Sequence, residues 1–149
     1  MPQARSFHSR SPAETRRLGR VLGELLRGGD LLALTGPLGA GKTCLVQGLA
    51  EGLAVDPRAP VTSPTFGIVA EYPGRVWLRH ADFYRVESCA RLLDAGFDDL
   101  CDASGVLVVE WPERFPDVVP AERLEIRIES GPGGEDRTLQ LEARGERAR

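Results

Sequence analysis

Gly36-Pro37-Leu38-Gly39-Ala40-Gly41-Lys42-Thr43 follows the short apolar run Leu31 to Thr35 and leads into the helical pattern Leu45, Val46, Leu49, Leu53. The stretch therefore occupies a strand-loop-helix junction and meets G-x-x-x-x-G-K-[ST] at every fixed position. Each fixed residue has a physical task. The glycines let the backbone turn so that successive N–H groups from Gly39 to Thr43 converge on phosphate oxygens, at the positive end of the new helix. Lys42 can then reach the β- and γ-phosphates as a point charge, and the Thr43 hydroxyl can ligate Mg²⁺. The plain alternative is a glycine turn that happens to precede Lys-Thr, and the strand before it and the helix after it argue against that. Lys42 is also the only lysine in the chain, in a sequence rich in arginine.

Length and charge bound the rest. A chain of 149 residues has the size of one domain, with little room for a separate substrate domain, so a second substrate is expected to be held by a partner. A net charge of −3 argues against a broad, non-specific nucleic-acid surface, which needs clustered Lys and Arg. Cys44, Cys89 and Cys101 are odd in number and lack C-x-x-C spacing, so they are expected to be free thiols and not disulfides. With no apolar run of membrane-spanning length and no signal-peptide core near Met1, a cytoplasmic protein with no membrane contact is expected.

Working outward, residues 1 to 10 are polar and aperiodic and are expected to be a frayed lead-in. Ser11-Pro12-Ala13-Glu14 is a capping box with proline at the first helical position. Leu18, Val21, Leu22, Leu25 and Leu26 continue it as a helix that Gly28-Gly29 should end. The continuous apolar run from Asp30 to Thr35 suits a strand buried on both faces. With the loop and the helix after it, which should run to about Glu51, it specifies a parallel α/β core. Thr65, in Val61-Thr62-Ser63-Pro64-Thr65-Phe66, lies in either an ordinary turn or a loop that senses the γ-phosphate.

Gly67 to Tyr72 and Arg75 to Tyr84 read as a hairpin around Pro73-Gly74. Asp82 ends its second strand and is the first acidic candidate for Mg²⁺, held directly or through water. His80 shares its strand face and is expected to be a hydrogen-bonded structural histidine. A short helix from Glu87 to Ala95 should stop at Gly96. Asp94, Asp98, Asp99 and Asp102 read as caps and solvated surface. Asp102-Ala103-Ser104-Gly105 spells D-x-x-G, but it precedes a strand and no N-K-x-D accompanies it, so GTP is discounted. Gly105 to Val109 is the second apolar strand and delivers Glu110 to the carboxyl edge of the sheet, where it either can face metal and water or is a strand-end carboxylate with no partner. Trp111 is either core or a flat wall over the site. A terminal hairpin pairs Leu124, Ile126 and Ile128 with Arg137 to Ala143 across a glycine-rich turn.

The order G-P-L-G-A-G-K-T, S-P-T-F, H-A-D-F-Y-R, V-V-E-W-P-E-R resembles the TsaE family, also called YjeE, the small bacterial ATPases of tRNA threonylcarbamoyladenosine biosynthesis. The resemblance spans about residues 11 to 143. It implies a single α/β domain of the P-loop NTPase type, with a mostly parallel central sheet, flanking helices and antiparallel hairpin additions. Residues 1–10 and 144–149 would be flexible termini. It further implies a weak ATPase that uses ATP and Mg²⁺ and works bound to a TsaB–TsaD pair, meeting tRNA only through those partners. Its hydrolysis would reset that complex between modifications of adenosine 37.

Carried over by position, the resemblance has Gly36, Leu38, Gly39, Ala40, Gly41, Lys42, Thr43 and Cys44 line the phosphates. Thr65 lies in a switch loop, Asp82 and Glu110 serve Mg²⁺ and water, and Trp111 lies beside them. Thr15 and Arg137 belong to the segments that fold over the adenine. Two departures are Cys44, where the family commonly has a second threonine, and Phe83 in place of leucine within H-x-D-L-Y-R; neither displaces Thr43 or Asp82. Arg85 and Arg114 lie close in sequence, but neither is identifiable as an arginine finger. The competing readings are a small-molecule kinase with the same loop, and an interaction module that ATP merely orders. ATP-dependent phosphorylation of a hydroxyl acceptor would mark the first. Partner function insensitive to Glu110→Gln would mark the second.

Overall fold

The computed structural model describes residues 4–37, 41–58, 69–84, 86–94, 96–97, 102–131 and 136–145. Its strands are β1 (Ala4–Ser9), β2 (Leu31–Thr35), β3 (Val69–Tyr72), β4 (Trp77–Asp82), β5 (Gly105–Glu110), β6 (Arg123–Ser130) and β7 (Arg137–Arg144). Its helices are α1 (Pro12–Leu25), α2 (Lys42–Gly52) and α3 (Cys89–Asp94), with 3-10 turns at Pro112–Arg114 and Pro116–Val118. All seven strands join one sheet in the order β1-β7-β6-β2-β5-β4-β3. The β6-β2-β5-β4 centre is parallel, and β3, β7 and β1 are added antiparallel. Among the described residues no helix is long and apolar enough to cross a membrane.

The apolar runs of β2 and β5 are explained by burial on both faces. On one face Leu32, Leu34, Leu78, Val106, Val108, Ile126 and Ile128 pack with Leu45, Val46 and Leu49 of α2. On the other, Leu31, Ala33, Leu107 and Val109 pack with Phe83, Leu92 and Phe97. The Phe83 ring meets Phe97 and Phe115 edge to face, with centroids 5.3 and 5.8 Å away, the arrangement that aromatic quadrupoles favour. Phe83 is thus directed into the core on the face opposite His80 and Asp82, and the exchange for leucine fills that core.

Several expectations are corrected. The lead-in before Ser11 is not frayed: Ala4–Ser9 forms β1, paired antiparallel with β7 from Ala4↔Glu142 to Ser9↔Arg137. Likewise Arg144 closes β7 and ion-pairs with Glu125 at 3.0 Å. β1 carries no apolar alternation because, as the edge strand of the sheet, it is held mainly by its backbone bonds to β7. Helix α1 ends at Leu25, ahead of Gly28-Gly29. Arg75 donates to the carbonyls of Gly23 and Leu26 at 3.0 and 3.1 Å, so a guanidinium from the β3–β4 connection satisfies the helix end. The capping box is present, with Glu14 N–H donating to Ser11 Oγ at 3.2 Å, but the Glu14 carboxylate accepts from Arg10 N–H at 2.7 Å. Helix α3 is shorter than Glu87 to Ala95, and β4 starts at Trp77.

The buried stripe of α1 also differs from its leucine pattern. Val21 and Leu25 are exposed, Leu25 by 73%, while Thr15, Gly19 and Gly23 are buried. Gly19 and Gly23 meet Gly48 and Gly52 of α2, and the two backbones nearly touch. A Cβ on Gly48 would lie 2.1 Å from the Arg16 carbonyl oxygen, and one on Gly52 2.2 Å from that of Arg20. Gly48→Ala should therefore lower stability by about 1–3 kcal/mol through overpacking, despite alanine's better helix propensity. A thermal melt would show a fall of about 2–4 °C per kcal/mol, whereas Val21→Ala on the exposed face should stay within about 0.5 kcal/mol.

Asp102 is more than solvated surface. Its carboxylate accepts from the Ser104 hydroxyl and N–H, and from Arg79 at 2.9 Å. Arg79 also reaches Ser104 Oγ at 2.8 Å and Glu71 at 3.3 Å. The Ser104 hydroxyl first, then Arg79, hold the Asp102 carboxyl down at about 2, below its ordinary 3.8. A depressed value means a stabilising contribution that is complete above 3.8 and lost as the pH falls through about 2. Asp102→Asn should lower the urea midpoint at neutral pH and flatten the acid dependence in that window.

Candidate phosphate-binding site

The site lies where β2 and β5 end side by side. The chain leaves β2 for α2 on one face of the sheet, and leaves β5 for the 3-10 turns on the other. Connections that diverge to opposite faces open a crevice at the carboxyl edge, where α/β sheets bind ligands. Gly36 (φ 148°) and Gly41 (φ 101°) are in backbone conformations open to glycine and strained for other residues. Gly41 caps α2 without any side-chain hydrogen bond. The first turn of the helix, with Lys42, Thr43 and half-buried Cys44, thus starts on the crevice. Leu38, Gly39 and Ala40, expected to complete the cradle, and Thr65 lie outside the described residues, as does Arg85.

Lys42 is 6% exposed. Its Nζ donates to the Gly36 carbonyl at 2.9 Å and stands 3.9 Å from the Trp111 ring centroid, a cation–π contact. Burial pulls the ammonium below the usual lysine value, opposed by the charges of Glu110, Asp82 and Glu113. Trp111 joins its two readings: it packs against the Phe83 side of the core and presents its ring to Lys42, and Tyr84 lies against it with ring centroids 4.9 Å apart. Trp111 holds φ 59° and ψ 45°, a left-handed conformation that costs a side-chain-bearing residue on the order of 1–3 kcal/mol. The turn after β5 is thereby bent so that the indole lies under Lys42.

Asp82 and Glu110 are register partners at the ends of β4 and β5. Burial pushes the Asp82 carboxyl above its usual value, and the neighbouring Glu110 adds to that; the Tyr84 N–H, donating at 2.9 Å, works against it. Glu110 is 3% exposed and bonds to His80, with Nε2 and Oε2 2.6 Å apart. His80 is indeed a hydrogen-bonded histidine, and its partner is the candidate acid itself. The sequence showed that His80 and Asp82 share a face, but not that the neighbouring strand places Glu110 within reach.

Arg137 opens β7 beside the loop: a methyl group on Gly41 would lie 3.7 Å from Arg137 Nε. Thr15 does not fit a direct ligand contact. It is 1% exposed, and its hydroxyl shares a 2.7 Å hydrogen bond with buried Ser9 at the end of β1. Since Ser9 pairs with Arg137, Thr15 supports the strand next to Arg137. Arg114 donates to the Tyr84 carbonyl, away from the role of a finger. Cys44 and Cys89 are free thiols, and Cys101 is outside the described residues. Two cations and a helix start around a glycine turn suit an anion, and the paired carboxylates suit a cation carried with it.

Comparison with known proteins agrees with this geometry. Residues 9–139 match the family model described as threonylcarbamoyl adenosine biosynthesis protein TsaE. A TsaE of Treponema pallidum is 42% identical over 80% of this chain and 87% of its own. One of Bacillus subtilis is 38% identical over 92% and 84%. One of Streptomyces coelicolor is 43% identical over 79% and 80%. The crystal structure of Bacillus subtilis YdiB superposes with a TM-score of 0.80 at 33% identity, covering 99% of this chain and 90% of that one. The fold is that of the P-loop NTPases, and the chain belongs to the TsaE family of tRNA threonylcarbamoyladenosine biosynthesis.

Proposed function

We propose that this chain is a weak, Mg²⁺-dependent ATPase of the cytoplasm that acts with a TsaB–TsaD pair in tRNA threonylcarbamoyladenosine formation and meets tRNA only through them. The observation that carries the reading is the placement of Asp82 and Glu110 side by side at the carboxyl edge, with both charges felt by Lys42. Hydrolysis of a triphosphate is served by those three groups together: a cation on the transferred phosphoryl, a metal ligand and a side chain that orients water.

The amides at the start of α2 and the Lys42 ammonium bind and orient the phosphates. Thr43, with Asp82 or Glu110, would hold Mg²⁺, which would supply neutralisation of charge on the phosphate oxygens. Glu110 orients the attacking water and draws its proton. Thr65 senses the terminal phosphate, Arg137 flanks the nucleotide and Trp111 walls the site. Mg²⁺ suits such a site, since it is commonly held by one or two carboxylates together with phosphates and water. An arginine supplied by a partner accelerates such reactions by about 10³–10⁵ in other phosphate-loop systems, so slow turnover in isolation is expected.

The test is phosphate release from ATP by the purified chain, alone and with TsaB–TsaD, alongside reconstituted tRNA modification. Slow release that stops in chelator and rises with the bound pair is the expected result. Release that persists in chelator, or ignores a pair shown to bind, would overturn the reading.

A further inference from the structure

We propose that His80 is a positioning residue for Glu110: its ring holds one carboxylate oxygen so that the other faces the crevice. This rests on the hydrolytic reading above. His80 and Glu110 lie on neighbouring parallel strands, two rows apart along the register, since Asp82 is the direct partner of Glu110. The 2.6 Å contact is buried at both ends, with side-chain exposures of 0% and 4%. A carboxylate at a strand end is otherwise free to rotate, and a hydrogen bond to an ionised acceptor is among the stronger restraints available.

The rest of the ring points to the same role. His80 Nδ1 is buried and has no hydrogen-bond partner among the described residues. Leu78, Val106 and Val108, on the same sheet face, are wholly apolar and buried. An aliphatic side chain would fill that place without the unpaired Nδ1, but it would strip the buried Glu110 Oε2 of its donor, so the imidazole is called for by Glu110 and not by packing. An Nε2–H donates to Glu110 Oε2 across the 2.6 Å contact. The opposite tautomer would set a lone pair against the carboxylate. A base oriented by a third group that never touches the substrate is the logic of catalytic triads, built here from two strand-end residues.

Three variants and a spectrum test this. His80→Phe and His80→Asn both remove the donor at the Nε2 position, and His80→Gln restores an N–H there. Loss of an outer-shell orienting bond typically lowers activity by about 10–100-fold. His80→Phe and His80→Asn should show that loss in kcat, with affinity for a non-hydrolysable ATP analogue within about threefold of the parent protein. His80→Gln should recover most of the loss. Independently of turnover, the chain has only two histidines, so ¹⁵N spectra of the nucleotide-free protein report His80 against His8. The Nε2–H tautomer should be seen, with its Nε2 signal moved by Glu110→Gln. A kcat within twofold of the parent in both His80→Phe and His80→Asn, or an Nδ1–H tautomer indifferent to Glu110→Gln, would overturn the proposal. Absence of turnover in the parent protein, alone and with partners, would instead overturn the ATPase reading, and the spectrum would still decide the role of His80.

Discussion

Glu110→Gln should lower ATP turnover by about 10²–10⁴, the range that a positioned general base contributes, while the nucleotide still binds. The substitution keeps the volume of a side chain that is 3% exposed, so the sheet edge should survive it. What changes is the charge: an amide cannot draw a proton from water. His80 can still donate to the amide oxygen across the 2.6 Å contact, so packing loss is not a competing explanation. Single-turnover phosphate release together with calorimetric binding of a non-hydrolysable analogue separates the two effects. Equal loss of binding and turnover would remove Glu110 from the chemistry, and undiminished turnover would assign the water to another group. If partner function also survived, ATP would be reduced to an ordering ligand.

Lys42→Ala should act on binding as well as on turnover. Its charge-assisted bonds to phosphate are worth about 1.5–3 kcal/mol, so affinity should fall by about one to two powers of ten. Loss of a charge aimed at developing negative charge should lower turnover by about 10²–10³. The ammonium lies on Trp111 and donates to the Gly36 carbonyl. Unchanged affinity in Lys42→Ala would refute the loop assignment. A collapse of thermal stability would instead assign Lys42 a structural role under the strained Trp111 turn.

Much of the fold was legible because its centre is built from local signals. The apolar runs Leu31–Thr35 and Gly105–Glu110 are strands covered on both faces, and each is long enough and apolar enough to declare itself. The loop motif was legible as spacing: the glycines answer to the backbone turn, and Lys42 and Thr43 to the phosphate and metal ion that such a turn would hold. The reading faltered where stability is non-local. β1 has no apolar period and exists because β7 offers it an open edge. The contact face of α1 was hidden because it is made of Gly19 and Gly23, which show no hydrophobic signal and act by letting α2 approach.

The sequence by itself determined the strand-loop-helix unit, the two strand-end carboxylates and the kinship of the whole, since each resides in a contiguous stretch read by periodicity or spacing. Only the tertiary structure decided how those stretches meet: Asp82 in register with Glu110, Glu110 bonded to His80, Lys42 over Trp111, and Thr15 turned inward to Ser9 while Arg137 stands by Gly41. The physical reason is that strand register and side-chain burial are set by partners distant in the chain, and one residue of slip between β4 and β5 would take Asp82 and His80 to the face opposite Glu110.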